Sequence, residues 1–223
     1  MTKVVTVKRR ALAANEERAE RLRARFAASG TLVANLISSP GSGKTSLLEA
    51  TVRALDDELT TAVIEGDVAT ENDADRIRAL GVPAHQILTG GACHLDARLV
   101  ETGIEEGGLP EVDILFIENV GNLICPTTYD LGEYFKVVLL SVAEGDDKPV
   151  KKPAIYALAE VAVVTKSDLL PHVPFDLDSV KSQIASLNPN GTVLVTSSLQ
   201  GDGMDEWFDL LRARLQAKRQ SLG

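Results

Sequence analysis

Continuous apolar runs, each short enough to be one strand, alternate with longer polar segments along most of this chain. Runs of this kind, bounded by glycine, proline or other turn residues, are typical of strands buried on both faces. The predicted strands are TLVANLIS (31–38), TTAVIEG (60–66), HQILTG (85–90), VDILFIEN (112–119), EYFKVVLLSV (133–142), VAVVTK (161–166) and TVLVTSS (192–198). Because helices cover both faces of parallel sheets, the pattern indicates a mostly parallel sheet in a three-layer α/β fold.

Helical segments are predicted before the first strand and between the later ones. They cover residues 9–29, 45–55, 71–80, 153–160 and 204–219, and one more helix is predicted to begin at Cys93. The first helix ends at Ser29-Gly30, since glycine commonly follows a helix. We therefore expect one α/β domain over residues 31–223, preceded by a helical extension over residues 1–30.

The charge balance excludes some classes of function. The 223 residues carry a net charge of −9, and the estimated pI is 4.9. A chain this acidic is not expected to hold nucleic acid or anionic membranes by general electrostatic attraction. Residues 1–30 are an exception, with eight Lys or Arg against three Asp or Glu. This basic segment suggests contact with a partner or with the acidic body, although a solvated helix explains the same charges.

Neither a membrane-spanning helix nor a secretion signal is expected. No apolar run approaches ~18 residues, and the N-terminus lacks the apolar core and cleavage site of a signal peptide. We expect a cytoplasmic protein. In that reducing compartment its two cysteines are expected to be free thiols or metal ligands.

The segment SSPGSGKTS (38–46) lies between the first strand and a helix and resembles a phosphate-binding loop. It matches G-x-x-x-x-G-K-[ST] except that Ser38 replaces the first glycine. Glycines here let backbone N–H groups face an anion, and the helix start adds a positive dipole end. Lys44 is expected to reach the β- and γ-phosphates, and the Thr45 hydroxyl to bind Mg²⁺. The alternative is a chance glycine-rich turn. The predicted loop residues are Gly41, Ser42, Gly43, Lys44, Thr45 and Ser46.

Two acidic residues at predicted strand ends are candidates for the magnesium site. Asp67 follows the strand AVIEG, and Glu118 follows DILFI. Either carboxylate can hold Mg²⁺ through water, and one can orient the attacking water. We favour Asp67 for orienting the water, although a role in capping the next helix explains it nearly as well. Lys44, Asp67 and Glu118 are thus the predicted catalytic residues.

Glu118 also begins an E-x-x-G sequence that ends at Gly121, whose N–H is placed to respond to a γ-phosphate. In Ras-like enzymes a glutamine orients the water. Here Asn122 follows Gly121, so that way of orienting water is not expected.

The segment VVTKSDLL (163–170) predicts which base is bound. The Asp168 carboxylate can accept hydrogen bonds from N1–H and the exocyclic amine of guanine, a donor pair that adenine lacks. The stem of Lys166 can pack on the base, and Ser197 can brace it from the next loop. Proteins of this type usually have asparagine where Thr165 stands, which is expected to loosen one supporting contact. A Lys-Asp turn alone is common, but after a strand and a phosphate loop it favours GTP over ATP.

Cys93, His94 and Cys125 form a candidate metal site next to these nucleotide motifs. A thiol at a helix start has a lowered pKa, which favours thiolate, and Cys and His suit Zn²⁺ or Ni²⁺. Taken singly, Cys93 is interpreted as a small buried residue, His94 as a capping or surface residue and Cys125 as loop packing.

Three ligands leave a tetrahedral site one short, so either water completes it or two chains share it. Because Cys125 follows the loop at Gly121, we hypothesise that GTP binding or hydrolysis moves one ligand and changes metal affinity.

The motifs SSPGSGKTS, EGDVATENDADRI, TGGACHLDA, DILFIENVGNLICP and VTKSDLL together resemble the hydrogenase nickel-incorporation GTPases, the HypB family. The resemblance covers nearly the whole chain from about residue 31. It implies a SIMIBI-type P-loop GTPase domain that hydrolyses GTP to GDP, forms a GTP-linked homodimer and delivers nickel to [NiFe]-hydrogenase precursors. It also implies that Cys93, His94 and Cys125 bind metal at the dimer interface.

One departure from the family concerns nickel storage. Many relatives carry an N-terminal cysteine motif or histidine-rich stretch, whereas residues 1–84 contain neither Cys nor His. A tight N-terminal nickel store is therefore not expected, and the resemblance suggests loading by a HypA-like chaperone. The lysine-bearing segment 146–153, interpreted first as a solvated loop, is a weaker candidate for reaching a nucleotide across a dimer.

Three alternatives remain open from the sequence. A urease-type nickel accessory GTPase shares the same motifs. A P-loop kinase would leave T-K-S-D unexplained and would need an arginine-bearing lid, which is not recognisable. A zinc-responsive regulatory GTPase would use the same ligands, and residue types alone do not decide between Ni²⁺ and Zn²⁺.

Overall fold

Parallel strands in one sheet form the centre of the computed structural model, which describes residues 2–68 and 72–221. The strands are β1 (Leu32–Ser38), β2 (Thr61–Asp67), β3 (Ala84–Leu88), β4 (Ile114–Glu118), β5 (Phe135–Ser141), β6 (Val161–Thr165) and β7 (Thr192–Val195). Their order across the sheet is β3-β2-β4-β1-β5-β6-β7, and every pairing is parallel. The predicted strands and the parallel α/β class are confirmed.

Helices flank the sheet, and most begin and end close to the predicted positions. They are α1 (Thr2–Ala28), α2 (Lys44–Leu55), α3 (Asn72–Arg78), α4 (Ala97–Glu106), α5 (Lys148–Lys151), α6 (Pro153–Leu158), α7 (Leu177–Leu187) and α8 (Met204–Gln220). Short 3-10 turns cover Cys125–Thr128, Val142–Glu144 and Ser167–His172. The predicted helix start at residue 71 and residues 69–71 of EGDVATENDADRI lie outside the described residues.

Two helical segments differ from the prediction. Helix α7 was not predicted, although Asp176 caps it by accepting from the Ser179 N–H at 2.9 Å. Its buried positions, Val180 and Ile184, have helical spacing but are separated by serine and polar residues, which weakens the apolar signal. The segment 146–153, predicted as a loop, contains the single helical turn α5.

The start of α4 is a third correction, because the helix begins four residues after Cys93. Asp96 is its N-cap and accepts a hydrogen bond from the Leu99 N–H at 2.7 Å. An aspartate at this position satisfies one of the free N–H groups of the first turn, so it decides where the helix begins. Gly90 and Gly91, both with positive φ, keep the preceding residues in a turn.

Apolar side chains of the sheet pack against helices on both faces. On one face Leu32 and Leu36 join Leu47 of α2 and Trp207 of α8 in a cluster. Trp207 is fully buried, and its indole N–H donates to Thr51 Oγ1 at 2.9 Å. The opposite face is covered by α1 and α4 around β1, β2 and β4, and by α6 and α7 around β5 and β6.

Helix α1 packs against the body that follows it. Leu22 is 2% exposed, and a Cβ on Gly132 would lie 2.7 Å from it, so the loop at Gly132 approaches the helix closely. Asn15 accepts from the Ala97 N–H at 2.8 Å and donates to the Asp130 carbonyl at 2.8 Å. Arg23 pairs with Asp130 at 2.5 Å. Part of the basic segment therefore contacts the acidic body of the same chain.

None of the helices in the described ranges is both long enough and apolar enough to cross a membrane.

Replacing Leu22 with alanine is expected to lower the free energy of unfolding by about 2–5 kcal/mol, because it removes a buried side chain and leaves a cavity. Urea denaturation measures the change. Leu199→Ala, at a position 85% exposed, is the matched control and is expected to change stability by less than about 0.5 kcal/mol. Equal effects of the two substitutions would mean that α1 does not stabilise the domain.

Candidate nucleotide and metal site

The phosphate loop connects β1 to the N-terminus of α2. Gly41 and Gly43 have φ of 74° and 90°, a left-handed backbone that favours glycine. Lys44 is buried, and its Nζ donates to Ser38 Oγ at 3.0 Å. The serine that replaces the first glycine of the motif thus holds the lysine ammonium. Ser42 turns its hydroxyl away from the loop mouth and donates to Glu144 Oε1 at 2.5 Å, bracing the loop from behind.

Glu118 meets the phosphate loop at the carboxyl end of β4. Its Oε1 accepts from Thr45 Oγ1 at 3.2 Å and lies 3.6 Å from Lys44 Nζ. Its Oε2 is buried, and the Glu118 carboxyl group also hydrogen-bonds the carboxyl group of Glu65. Hydroxyl and carboxylate oxygens are the donors that Mg²⁺ prefers, and two carboxyl groups buried side by side need either a shared proton or a cation. The residues at this position therefore fit Mg²⁺.

Glu65 is a site residue that the sequence analysis did not assign. It lies on β2, is 2% exposed and is the register partner of Glu118 on β4. Burial raises the pKa of Glu65 well above its usual value, and the charge of Glu118 raises it further. Burial likewise raises the pKa of Glu118, although Lys44 opposes the shift. A glutamate inside the apolar run AVIEG was the available signal, because buried carboxyl groups need a specific partner.

These groups line a cleft of about 440 Å³ between the phosphate loop and the ends of β2 and β4. The predicted residues that line it are Gly41, Gly43, Lys44, Thr45, Ser46, Asp67, Glu118, Gly121 and Lys166. Gly121 lies against the phosphate loop, since a Cβ there would be 2.9 Å from the Pro40 ring. Cleft volumes of roughly 300–1,000 Å³ are typical for small-molecule sites.

The T-K-S-D segment, residues 165–168, is attached to the phosphate loop by two contacts. Thr165 Oγ1 donates to the Ser42 carbonyl at 2.6 Å, so the threonine does make a contact there despite the expected loosening. Lys166 has φ of 59° and donates from Nζ to the Gly41 carbonyl at 2.8 Å. The lysine stem therefore spans the loop beside the cleft.

Asp168 and Ser197 lie together but do not line the cleft itself. Ser197 Oγ donates to Asp168 Oδ1 at 2.6 Å and accepts from the Gln200 N–H at 3.2 Å. The serine hydroxyl thus holds one oxygen of the aspartate carboxylate. The role of Asp168 as the base-binding carboxylate stays a prediction.

Cys93, His94 and Cys125 come together although 31 residues separate His94 from Cys125. One donor atom of each lies within 4.8 Å of the others. The two Sγ atoms are 2.6 Å apart, and Cys93 Sγ is 3.7 Å from His94 Nδ1. Two sulfurs and one imidazole nitrogen form a donor set for Zn²⁺ or Ni²⁺.

The surroundings of Cys93, His94 and Cys125 correct the roles that the sequence suggested for each residue taken singly. Cys93 is exposed and Cys125 half-buried, so neither serves only as a packed apolar residue. Cys93 precedes α4 and lies outside its first turn, and the expected lowering of its thiol pKa is wrong. Its pKa is raised, chiefly by the hydrogen bond to Cys125.

His94 is not a helix cap; its ring stacks on Tyr129, with centroids 3.9 Å apart and planes at 23°. Burial lowers the His94 pKa, which favours the neutral, ligating imidazole. Tyr129 was missed because nothing in the local sequence indicates that it meets His94.

The segment 146–153 lies close to the phosphate loop of its own chain. Lys148 Nζ is 3.3 Å from Glu144 Oε2, and Glu144 Oε1 accepts from Ser42. The carboxylate of Glu144 keeps a pKa below its usual value because nearby hydroxyls and Lys148 outweigh its burial. Glu144 therefore links this segment to the phosphate loop, through an ion pair with Lys148 and a hydrogen bond from Ser42.

Known proteins are similar to this chain in sequence and in structure. The family model described as "CobW/HypB/UreG, nucleotide-binding domain" matches residues 32–195. Hydrogenase maturation factor HypB of Escherichia coli K12 is 50% identical over 200 residues, covering 90% of this chain and 69% of that protein. Hydrogenase/urease maturation factor HypB of Helicobacter hepaticus is 40% identical over 223 residues, covering 98% and 91%.

A solved structure is similar over nearly its full length. The crystal structure of HypB from Helicobacter pylori in complex with nickel superposes with a TM-score of 0.86 and 39% identity. The similarity covers 94% of this chain and 97% of that one. The chain belongs to the CobW/HypB/UreG nucleotide-binding family, within its group of HypB hydrogenase maturation factors.

Proposed function

We propose that this protein is a GTP-hydrolysing metallochaperone that carries nickel during [NiFe]-hydrogenase maturation. The observation that carries the proposal is the gathering of Cys93, His94 and Cys125 beside the nucleotide cleft, with donor atoms within 4.8 Å of one another. Cys125 follows Gly121 by four residues, and Gly121 lines the cleft. Nickel bound by a structurally similar HypB supports the choice of cargo.

GTP hydrolysis is the enzymatic part of the proposal. Water attacks the γ-phosphorus, the bond to the β,γ-bridging oxygen breaks, and GDP and phosphate leave. Backbone N–H groups of the loop 41–46 and Lys44 stabilise the phosphate charge. Thr45, Asp67 and Glu118 would hold Mg²⁺, which would neutralise charge on the phosphate oxygens. Asp67, at the end of β2, orients the attacking water.

Guanine is the proposed base because of the carboxylate at Asp168. The Ser197 hydroxyl holds Asp168 Oδ1 at 2.6 Å, which limits the rotation of the carboxylate. A fixed carboxylate accepts the two parallel donors of guanine and meets no such pair on adenine. Lys166 packs its stem along the base, because its Nζ is already held by the Gly41 carbonyl.

Metal binding is proposed to respond to the nucleotide. A closed tetrahedral site retains its ion, whereas three ligands on two loops permit release. A second copy of this chain completes the coordination in a GTP-linked homodimer, and Zn²⁺ competes for the same donors. Nickel arrives from a HypA-like chaperone and leaves for the hydrogenase large-subunit precursor.

A urease-type role is the second candidate. The name "Hydrogenase/urease maturation factor" of the Helicobacter hepaticus relative favours it, because the same nickel carrier then serves two enzymes. The nickel and nucleotide sites are the same in both candidates. Complementation separates them, since a deletion strain regains either hydrogenase or urease activity when this gene is supplied.

His94→Ala is expected to weaken nickel binding by more than the roughly 10–100-fold typical for loss of an outer-shell partner. His172→Ala is the matched control, since His172 is exposed and distant in sequence from the three donors. Competition against a chromophoric chelator measures affinity. If His94→Ala bound nickel as tightly as His172→Ala, the three-residue site would be wrong.

In cells, the same pair of variants separates delivery from regulation. A carrier with His94→Ala is expected to leave the hydrogenase unmatured at limiting nickel and to recover when nickel is added. Loss of maturation at every nickel concentration, together with a response to zinc instead, would favour the zinc-responsive regulatory GTPase.

Asp168→Asn is expected to weaken GTP binding by roughly 10–150-fold, because asparagine keeps one acceptor oxygen and loses the other, which removes one charged hydrogen bond worth about 1.5–3 kcal/mol. Affinity for xanthosine triphosphate, whose carbonyl accepts from the new amide, is expected to rise. Fluorescent nucleotide titration measures both. Asp178→Asn, an exposed aspartate in α7, is the control. An unchanged preference for GTP would exclude Asp168 as the base-binding residue.

A further inference from the structure

Asn122 joins the two loops that carry the candidate metal donors. It stands directly after Gly121, where a water-orienting glutamine is found in other GTPases. Its Nδ2 instead donates to the Cys93 carbonyl at 3.2 Å. Its Oδ1 accepts from the Ile124 N–H at 2.9 Å, one residue before Cys125. One side chain therefore contacts the backbone beside both cysteines.

The other end of the Cys93-His94 turn is anchored to the sheet. Leu95 is fully buried, and a Cβ on Gly66 would lie 2.8 Å from its side chain. The Leu95 N–H donates to Asn119 Oδ1 at 3.1 Å. Asn119 is itself held to β1, because its N–H donates to the Leu36 carbonyl at 2.9 Å and its Nδ2 to Asn35 Oδ1 at 3.3 Å. The residue after His94 is thus fixed.

Gly121 is the part of this loop that faces the nucleotide. It lines the cleft with the phosphate loop, and a Cβ there would be 2.9 Å from Pro40. Any displacement of Gly121 by a γ-phosphate passes directly to the next residue, Asn122. The turn that carries Cys93 and His94 is held in place at Leu95, whereas Asn122 displaces its other end through the hydrogen bond to the Cys93 carbonyl. The distances between the Cys93, His94 and Cys125 donor atoms therefore change.

We infer that Asn122 is a positioning residue that transmits the nucleotide state to the Cys93–His94–Cys125 site through its hydrogen bond to the Cys93 carbonyl. This inference rests on the proposed function, because it assumes that these three residues bind nickel and that affinity depends on the nucleotide. Asn122 touches neither the ion nor the reacting phosphate in this assignment. Its effect is on the difference between the two nucleotide states.

The test compares nickel affinity in the GDP state and in the state with a non-hydrolysable GTP analogue. The full-length wild-type protein is expected to show at least about a 5-fold ratio, the lower end of typical allosteric coupling. Asn122→Ala is expected to bring the ratio below roughly 2-fold, because coupling is lost while the three donors remain.

Asn188→Ala is a matched control. Asn188 has the same pair of bonds, donating to the Ala159 carbonyl at 2.9 Å and accepting from the N–H two residues ahead at 3.2 Å. It lies after α7, on a loop that does not line the cleft. Its substitution removes comparable hydrogen bonds and is expected to leave the wild-type ratio unchanged.

Asn122→Asp is a second variant, which keeps the acceptor for the Ile124 N–H and removes the donor to Cys93. Its added charge shifts nickel affinity in both states, but the ratio is expected to fall as in Asn122→Ala. Circular dichroism and the urea midpoint confirm that both variants are folded.

The outcomes separate this inference from the proposed function. A wild-type ratio retained in both Asn122 variants overturns the inference and leaves nucleotide-linked nickel binding intact. A wild-type ratio of one overturns the coupling and the inference together, while loss of nickel binding in His94→Ala still supports the metal site. A wild-type protein that binds no nickel in either state overturns the proposed function itself.

Discussion

The parallel pairing of β2, β4 and β1 is the constraint on which the rest of the site depends. In a parallel sheet all carboxyl ends lie on the same edge, and the register sets which residues meet there. Leu36 pairs with Glu118 and Glu65 pairs with Glu118 across the two ladders. Asp67 ends β2, and the loops that follow β1 and β4 are the phosphate loop and the loop at Gly121. One edge of the sheet therefore collects the groups proposed to contact phosphate.

This edge holds buried charge, which is unfavourable unless it is compensated. Lys44 and Glu118 are both nearly inaccessible, and Glu65 adds a second carboxyl group at the same level. A buried ion pair gains little net stability because desolvation offsets its attraction. The arrangement is therefore better explained by function than by stability. In the proposed function a nucleotide phosphate would balance the charge of Lys44, and Mg²⁺ would balance the carboxylates.

The candidate metal donors Cys93, His94 and Cys125 are connected to this edge by polar side chains within the fold. Asn119 is 1% exposed and joins β4 to both β1 and the turn before α4. Such a buried amide is costly unless its hydrogen bonds are made, so it holds the turn in one position. Asn122 is partly exposed and lies beyond Gly121, where movement costs less. Gly121 thus lies between the fixed side chain of Asn119 and the less constrained side chain of Asn122. This arrangement is suited to transmitting a small displacement of Gly121 to the turn that carries Cys93.

The amino-acid sequence by itself determined the strands, most helices, the phosphate loop and the residue types of the candidate metal site. These features depend on continuous apolar runs and on glycine, lysine and cysteine at short spacings, which act locally. Only the tertiary structure decided that Glu65 faces Glu118, that Tyr129 stacks on His94 and that Asn122 bonds to Cys93. It also placed the start of α4 at its Asp96 cap and revealed α7. The three contacts depend on the register between strands or on the meeting of distant loops, which no single segment encodes. The two helices depend instead on their caps, Asp96 and Asp176, which the pattern of apolar positions does not show.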